Sequence, residues 1–494
     1  MRTTRLALGL ALLCWAIGCS TREPLPPVAA PLTTTADAEF RQRAPAPWPA
    51  QQALGSIQTR ERLLSNGLRV QIVERPNVPL VSLRYVNRAG EFAAGDVPGL
   101  ASLTARAMLD GTITEDGAGV LTGIRIGGVQ PEEAVGSSGT RIGFTLVSSG
   151  AAVALGALAG IVQRPAFDRE ALRRSAASLS NEIYDEQASL FGLAATLTAR
   201  AVLGDEHPLG IEAGAYMRGL LDLDEADVRA FYTREYRPER SVLIVVGDVT
   251  AEDLWPVIER HFGGWQADPP PETRSGAVFA TREIAPLEAG ARGRRIYTLL
   301  AGGDQAYVLF PQRAVRTSHP DALPLQLLAN VLAGGFSSRA NLALRHGSGL
   351  TYGVSTRFEG AGDSSYLRIL SAVEQRSVLE GIRKLEEVLT QLQMEPVSAR
   401  ELEDARTAYL AQFDAGTNAG VASLLADLFA AQLEVDWLRD LERRVNEIEP
   451  DDLLRVAERY LRPKGNVVVL GNYYENGDLL AKLGRVVPFY RTGR

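Results

Sequence analysis

This chain repeats itself, and the repeat limits its possible folds more than any other feature. Asp224-Glu225-Ala226-Asp227-Val228-Arg229-Ala230-Phe231-Tyr232, then Tyr236-Arg237-Pro238, then Val242-Leu243-Ile244-Val245-Val246-Gly247 recurs as Pro450-Asp451-Asp452-Leu453-Leu454-Arg455-Val456-Ala457, Tyr460-Leu461-Arg462-Pro463 and Val467-Val468-Val469-Leu470-Gly471. Each copy has the pattern of a capped helix, a proline stop and a strand of β-branched residues. The period from Tyr236 to Tyr460 is 224 residues, and duplication of one unit is the simplest account.

Leu68 to Val73, Val81 to Val86 and Arg141 to Val147 alternate as strands do, while Ala171 to Tyr184 and Ala399 to Gln412 carry helical apolar periodicity. Strands and helices do not alternate one for one. This predicts an α+β fold of two duplicated domains, each a mostly antiparallel sheet with helices on one face. The expected domains are 56–268 and 289–494, joined by a linker over 269–288 that opens on Pro269-Pro270-Pro271-Glu272.

Arg2 and Arg5 ahead of the apolar run Leu6 to Ile17 have the form of an export signal over residues 1–18. Ala16-Ile17-Gly18-Cys19 resembles a bacterial lipobox, with Ala16 where leucine is usual. The chain has two cysteines, Cys14 and Cys19. Cleavage before Cys19 would remove one and lipidate the other, leaving nothing for a disulfide. Ordinary secretion with Cys19 as an incidental thiol is the alternative. Residues 19–55, rich in proline and alanine, cannot bury a core and are expected to be a tether.

Loss of Arg2 and Arg5 takes the formal charge from −7 to −9. That acidic balance argues against a nucleic-acid partner. No later apolar run is long and uninterrupted enough for a bilayer span. The expectation is a periplasm-facing lipoprotein of a bacterial envelope, Ser20 favouring the outer membrane.

Leu64-Ser65-Asn66-Gly67-Leu68-Arg69-Val70, Pro79-Leu80-Val81-Ser82-Leu83, Arg88-Ala89-Gly90 and the segment Gly99 to Thr112 together resemble the start of the pitrilysin-like metallopeptidases, the insulinase and mitochondrial-processing-peptidase type. The resemblance runs from about Arg60 to Val487 and implies two such domains enclosing a cleft. In that family an H-x-x-E-H helix supplies two zinc-binding imidazoles and a general base, with a glutamate on a later helix as third ligand. The three helix positions here are Ser102, Ala105 and Arg106, and Glu182, in Ser180-Asn181-Glu182-Ile183, stands at the place of the third ligand.

A hydroxyl, a methyl and a permanently protonated guanidinium cannot hold zinc. The four histidines, His207, His261, His319 and His346, include no two spaced for one helical face. No metal is expected in this chain. Along the helix Leu100, Leu103, Ala107 and Met108 make an apolar stripe, and Ser102, Ala105, Arg106 and Leu109 are expected on the face turned to the cleft. Arg106 and Glu182 are expected to pair across the vacated zinc position; two unrelated surface side chains are the alternative.

Leu332-Ala333-Gly334-Gly335-Phe336-Ser337-Ser338-Arg339, followed by Leu344-Arg345-His346-Gly347-Ser348-Gly349-Leu350-Thr351-Tyr352-Gly353-Val354, resembles the family's second-domain segment. There an arginine and a tyrosine seven residues later face the substrate, which places Arg345 and Tyr352 in those roles. A tyrosine hydroxyl can serve a developing oxyanion and an arginine can hold a nearby peptide carbonyl. Taken singly, Tyr352 would be the start of a strand and Arg345 a cation at a helix end. His207, beside Pro208, is expected in a turn. The mature chain has neither a G-x-S-x-G elbow nor a cysteine nucleophile.

Some members of the family work as pairs, one subunit carrying the zinc helix and the other the arginine and tyrosine. The resemblance therefore implies the zinc-less subunit of a heterodimeric, periplasmic metalloendopeptidase, inactive alone, with zinc in the homologous partner and peptides as substrates. The rival is a catalytically inactive, lipid-anchored scaffold or peptide-binding protein of the same fold. A metal-free hydrolase acting alone lacks any recognisable nucleophile and base.

Overall fold

Val242 to Gly247 and Val467 to Gly471 are unbroken apolar runs, which suit strands covered on both faces. Each lies inside its sheet. The structure, a computed structural model, describes residues 54–95, 97–110, 129–204, 207–211, 213–267, 293–360 and 362–489. The expected export signal, Cys14, Cys19, the expected tether as far as residue 53 and the expected 269–288 linker lie outside the described residues.

The first half contributes β1 (Arg60–Leu63), β2 (Arg69–Glu74), β3 (Leu80–Asn87), β4 (Glu132–Val135), β5 (Thr140–Val147) and β6 (Ser241–Gly247), in the order β1-β2-β6-β3-β5-β4. The second contributes β7 (Arg295–Leu300), β8 (Gln305–Arg313), β9 (Thr351–Glu359), β10 (Tyr366–Glu374), β11 (Val467–Gly471) and β12 (Arg485–Phe489), in the order β12-β7-β11-β8-β10-β9. β2 is parallel to β6 and β7 to β11, and the strands beyond them are antiparallel. Five strands therefore correspond in order and direction. Only one edge differs, where β1 pairs antiparallel with β2 while β12 runs parallel to β7.

The repeated helices are Glu225–Glu235 and Pro450–Tyr460, each opened by a capping box, Asp224 with Asp227 and Glu449 with Asp452. At the first the side-chain bonds are reciprocal, and at the second Asp452 Oδ2 accepts from Glu449 N at 3.1 Å; both satisfy backbone N–H groups at a helix start.

Helices of its own half cover one face of each sheet, as the sequence predicts; the other face is covered by a helix lent from the opposite half. The Leu190–Leu203 helix of the first half lies on β8, β11 and β7, where Leu193, Leu197 and Ala201 meet Tyr297, Leu309 and Val468. The Asn418–Ala430 helix of the second half lies on β3 and β6. Near its start Asn418 Nδ2 donates to Leu80 O at 2.9 Å, and near its end Asp427 pairs with Arg141 at 3.0 Å. Strands apolar on both sides leave a second face that needs a cover, and the exchange supplies it. Among the described residues no helix is long and apolar enough to cross a membrane.

Candidate functional site

Gly99, at φ +82°, turns the chain into the Leu100–Asp110 helix, and a Cβ there would lie 2.9 Å from atoms of Tyr216 and Leu220. Helices Arg169–Ala188 and Glu225–Glu235 and strand β4 all pack on it. As a result only Ser102, Arg106 and Asp110, at i, i+4 and i+8, escape burial. Ala105 and Leu109, expected on the cleft face, are both buried, Leu109 within the first-half core. The apolar stripe is wider than the sequence pattern implied because neighbours close on it from three sides.

Arg106 Nε donates to Glu133 Oε2 at 2.7 Å; Nη1 donates to Glu182 Oε1 at 2.8 Å and to Ser178 Oγ at 3.2 Å, and Nη2 to Glu182 Oε2 at 3.1 Å. Glu182 projects from the Arg169–Ala188 helix and Glu133 from edge strand β4. One planar cation thus joins three elements. The bonds from Arg106 hold the Glu182 carboxyl below its ordinary range, and the same bonds push the guanidinium up against the effect of burial. Burial pushes Glu133 up while Arg106 pulls against it.

Ser102 belongs to a neighbouring network. Its Oγ and backbone N both donate to Glu91 Oε1, at 2.5 and 3.1 Å, and Tyr216 Oη donates to the same oxygen at 3.1 Å. Ser102, Arg106, Glu133, Glu182, Glu91 and Tyr216 line one cavity of about 470 Å³. These residues do not fit zinc. The centre is occupied by a fixed cation whose N–H groups already hold both nearby carboxylates, and the Ser102 hydroxyl is a poor ligand that is spent on Glu91. Among the described residues no three His, Cys, Asp or Glu side chains are grouped to hold a metal ion.

A second cavity, about 860 Å³, is lined by Arg345 and Tyr352 together with Gly349, Thr351, Arg376 and Glu475. It shares no lining residue with the first. Arg345 lies in a π-wound turn, Leu342–His346, where Gly347 N reaches back to Leu342 O at 2.8 Å. Such turns widen a helix locally and are frequent at functional sites. Gly349, at φ +67°, then swings the chain into β9, whose second residue is Tyr352, 86% exposed.

The Arg345 guanidinium carbon sits 4.4 Å from the Phe336 ring centroid, and no carboxylate among the described residues pairs with it. Held over an aromatic ring rather than against a carboxylate, a guanidinium keeps N–H groups for another acceptor. Arg376, on the same rim, is paired with Glu374 at 2.7 Å.

His207 sits in a turn: Nδ1 accepts from Leu209 N at 3.2 Å and Nε2 meets Ser364 Oγ at 3.0 Å, and burial lowers its pKa. His319 Nδ1 accepts from Asp321 N at 3.0 Å, and His261 packs against Gly156. Glu133, Glu91, Tyr216 and Phe336 enter the two sites without having been singled out from the sequence. Of these only Phe336 lay inside a recognised motif.

Residues 222–409 match a family described as peptidase M16 inactive domain. A Mycobacterium leprae protein described as an uncharacterized zinc protease is 24% identical over 291 residues, 57% of this chain and 62% of that protein. The chain thus spans under two thirds of that relative's length. Among the solved structures that share the fold are two bacterial ones. One is a peptidase M16 inactive domain from Pseudomonas fluorescens, with TM-score 0.72 and 20% identity over 84% of this chain and 98% of that one. The other is the first half of the periplasmic protease PqqL from Escherichia coli, with TM-score 0.64 and 16% identity over 85% and 93%.

Proposed function

We propose that this chain, which carries a peptidase M16 inactive domain within a pitrilysin-like fold, is the metal-free subunit of a two-subunit peptidase that cuts peptides in the periplasm. A homologous partner would hold the zinc. Arg345 would hold a peptide carbonyl and Tyr352 would donate to the oxygen that becomes negative as the peptide bond is attacked. Extended substrates would add as a strand along a sheet edge, a mode that reads backbone more than side chains.

The observation that carries this reading is Arg106, a guanidinium forked on Glu182 in the place a metal would need, while the Arg345 and Tyr352 segment is intact and opens on a separate cavity. Export by residues 1–18 and acylation of Cys19 would hold the protein on the periplasmic side of the outer membrane. A Cys19→Ser form recovered in the soluble fraction is the result expected of that anchor.

The native protein, affinity-purified with what it binds, should bring down a homologous H-x-x-E-H subunit and its zinc. The chain alone should neither retain stoichiometric zinc nor degrade casein. In the reconstituted pair, Tyr352→Phe should cut turnover by roughly a hundredfold, the cost typical of a lost oxyanion donor, and Arg345→Ala by a similar roughly hundredfold through misplaced substrate. A scaffold would tolerate both.

A further inference from the structure

Asn341 is buried, and no part of its amide is idle. Its Oδ1 accepts from Val354 N at 2.7 Å, and its Nδ2 lies 3.1 Å from Val354 O, 3.0 Å from Gly335 O and 3.0 Å from Ser338 Oγ. Val354 stands opposite Ser371 of β10, yet both its backbone groups turn the other way, toward the open edge of the sheet. On that edge the Asn341 amide takes the part of a neighbouring strand: it offers one acceptor and one donor at the spacing of a peptide group.

Two features of the larger cavity hang from this amide. Gly335 precedes Phe336, whose ring carries Arg345 at 4.4 Å. Val354 follows Tyr352 by two residues in β9. We propose that Asn341 is the positioning residue of the Arg345–Tyr352 pair, locking the turn that bears Phe336 to the start of the strand that bears Tyr352. It touches no substrate. The inference rests on the reading of Arg345 and Tyr352 as substrate-facing donors, and it adds the residue that holds them in register. Misplacement by about 1 Å can cost on the order of a hundredfold in rate.

The test uses the full chain in its native complex. Asn341→Leu keeps the branched skeleton and removes every bond; Asn341→Asp keeps the acceptor for Val354 N–H and removes the donors. Two readouts are needed: hydrogen exchange of the β9 segment, and cleavage of a quenched fluorogenic peptide with kcat and KM separated. Asn341→Leu should speed exchange at Val354 about tenfold or more, and both variants should lower kcat roughly ten- to hundredfold with KM within about twofold. If either variant leaves kcat near wild type while Arg345→Ala abolishes cleavage, the inference fails and the proposed function stands. If Arg345→Ala is itself harmless, the proposed function fails and takes the inference with it. Should Asn341→Leu not assemble, Asn341→Asp alone decides by the same outcomes.

Discussion

Arg106 meets Glu182 with both arms of its guanidinium, at 2.8 and 3.1 Å, and spends its remaining Nε on Glu133 at 2.7 Å. The position that the sequence resemblance likens to a zinc ligand's thus carries a cation of its own, and that cation ties the helix to the Arg169–Ala188 helix and to edge strand β4.

Removing that cation should hurt mainly through Glu133, whose side chain is only 11% exposed against 55% for Glu182. Breaking a buried pair from one side leaves an uncompensated charge, so Arg106→Ala should cost about 3 kcal/mol. Arg106→Ala with Glu133→Gln should recover part of the loss. In Arg106→Ala nothing opposes the burial that raises Glu133, so the folded state binds a proton more tightly than the unfolded state. The variant should therefore gain stability as pH falls from neutral toward the ordinary carboxylate range. Urea unfolding across that pH range checks both points.

Replacing the cation by ligands should reverse the metal chemistry. Ser102→His with Arg106→His places two imidazoles at i and i+4 and frees Glu182 as a third donor. The double variant should hold zinc through dialysis and wild type should not, as read by metal analysis. Adding Ala105→Glu should destabilise the protein, because that position is fully buried.

Arg339, in the segment just before Asn341, binds Glu401 through Nε at 2.7 Å and Nη2 at 3.1 Å, and this pair holds the Glu401 carboxyl at about 2 against an ordinary 4.5. A lowered folded pKa gives stability that is complete above the ordinary value and lost as pH falls through about 2. Glu401→Gln should flatten the fall of melting temperature over that window. An unchanged acid limb would show that the pair carries no linkage.

Leu197 is fully buried on the helix that the first half lends to the second sheet. Leu197→Ala should cost about 2–5 kcal/mol. Because its partners are Tyr297, Leu309 and Val468, hydrogen exchange should rise in β7, β8 and β11 before it rises in β3. Loss confined to the first sheet would contradict the exchange of helices.

The local patterns were legible in the chain. The period of 224 residues, the capped helices and the runs at Val242 and Val467 announce a duplicated α+β fold. Helix and strand periodicity depend only on backbone geometry, so they survive without any knowledge of neighbours. That a hydroxyl, a methyl and a guanidinium at Ser102, Ala105 and Arg106 are poor zinc ligands is likewise a matter of residue type.

What the chain could not disclose is what lies across from what. Glu133 sits on a four-residue edge strand with no periodic signature, and it meets Arg106 only because β4 closes over the Leu100–Asp110 helix. Ala105 looked free until three neighbours buried it. Asn341 is an ordinary polar residue in sequence; only the open edge of β9 gives its amide two backbone groups to satisfy. The halves exchange helices for the same kind of reason, since each sheet has a second apolar face whose cover has to come from far along the chain. Residue type and spacing determine local structure and rule chemistry out, but burial, charge pairing and hydrogen-bond satisfaction are fixed by contacts between distant segments, and only the folded chain supplies those.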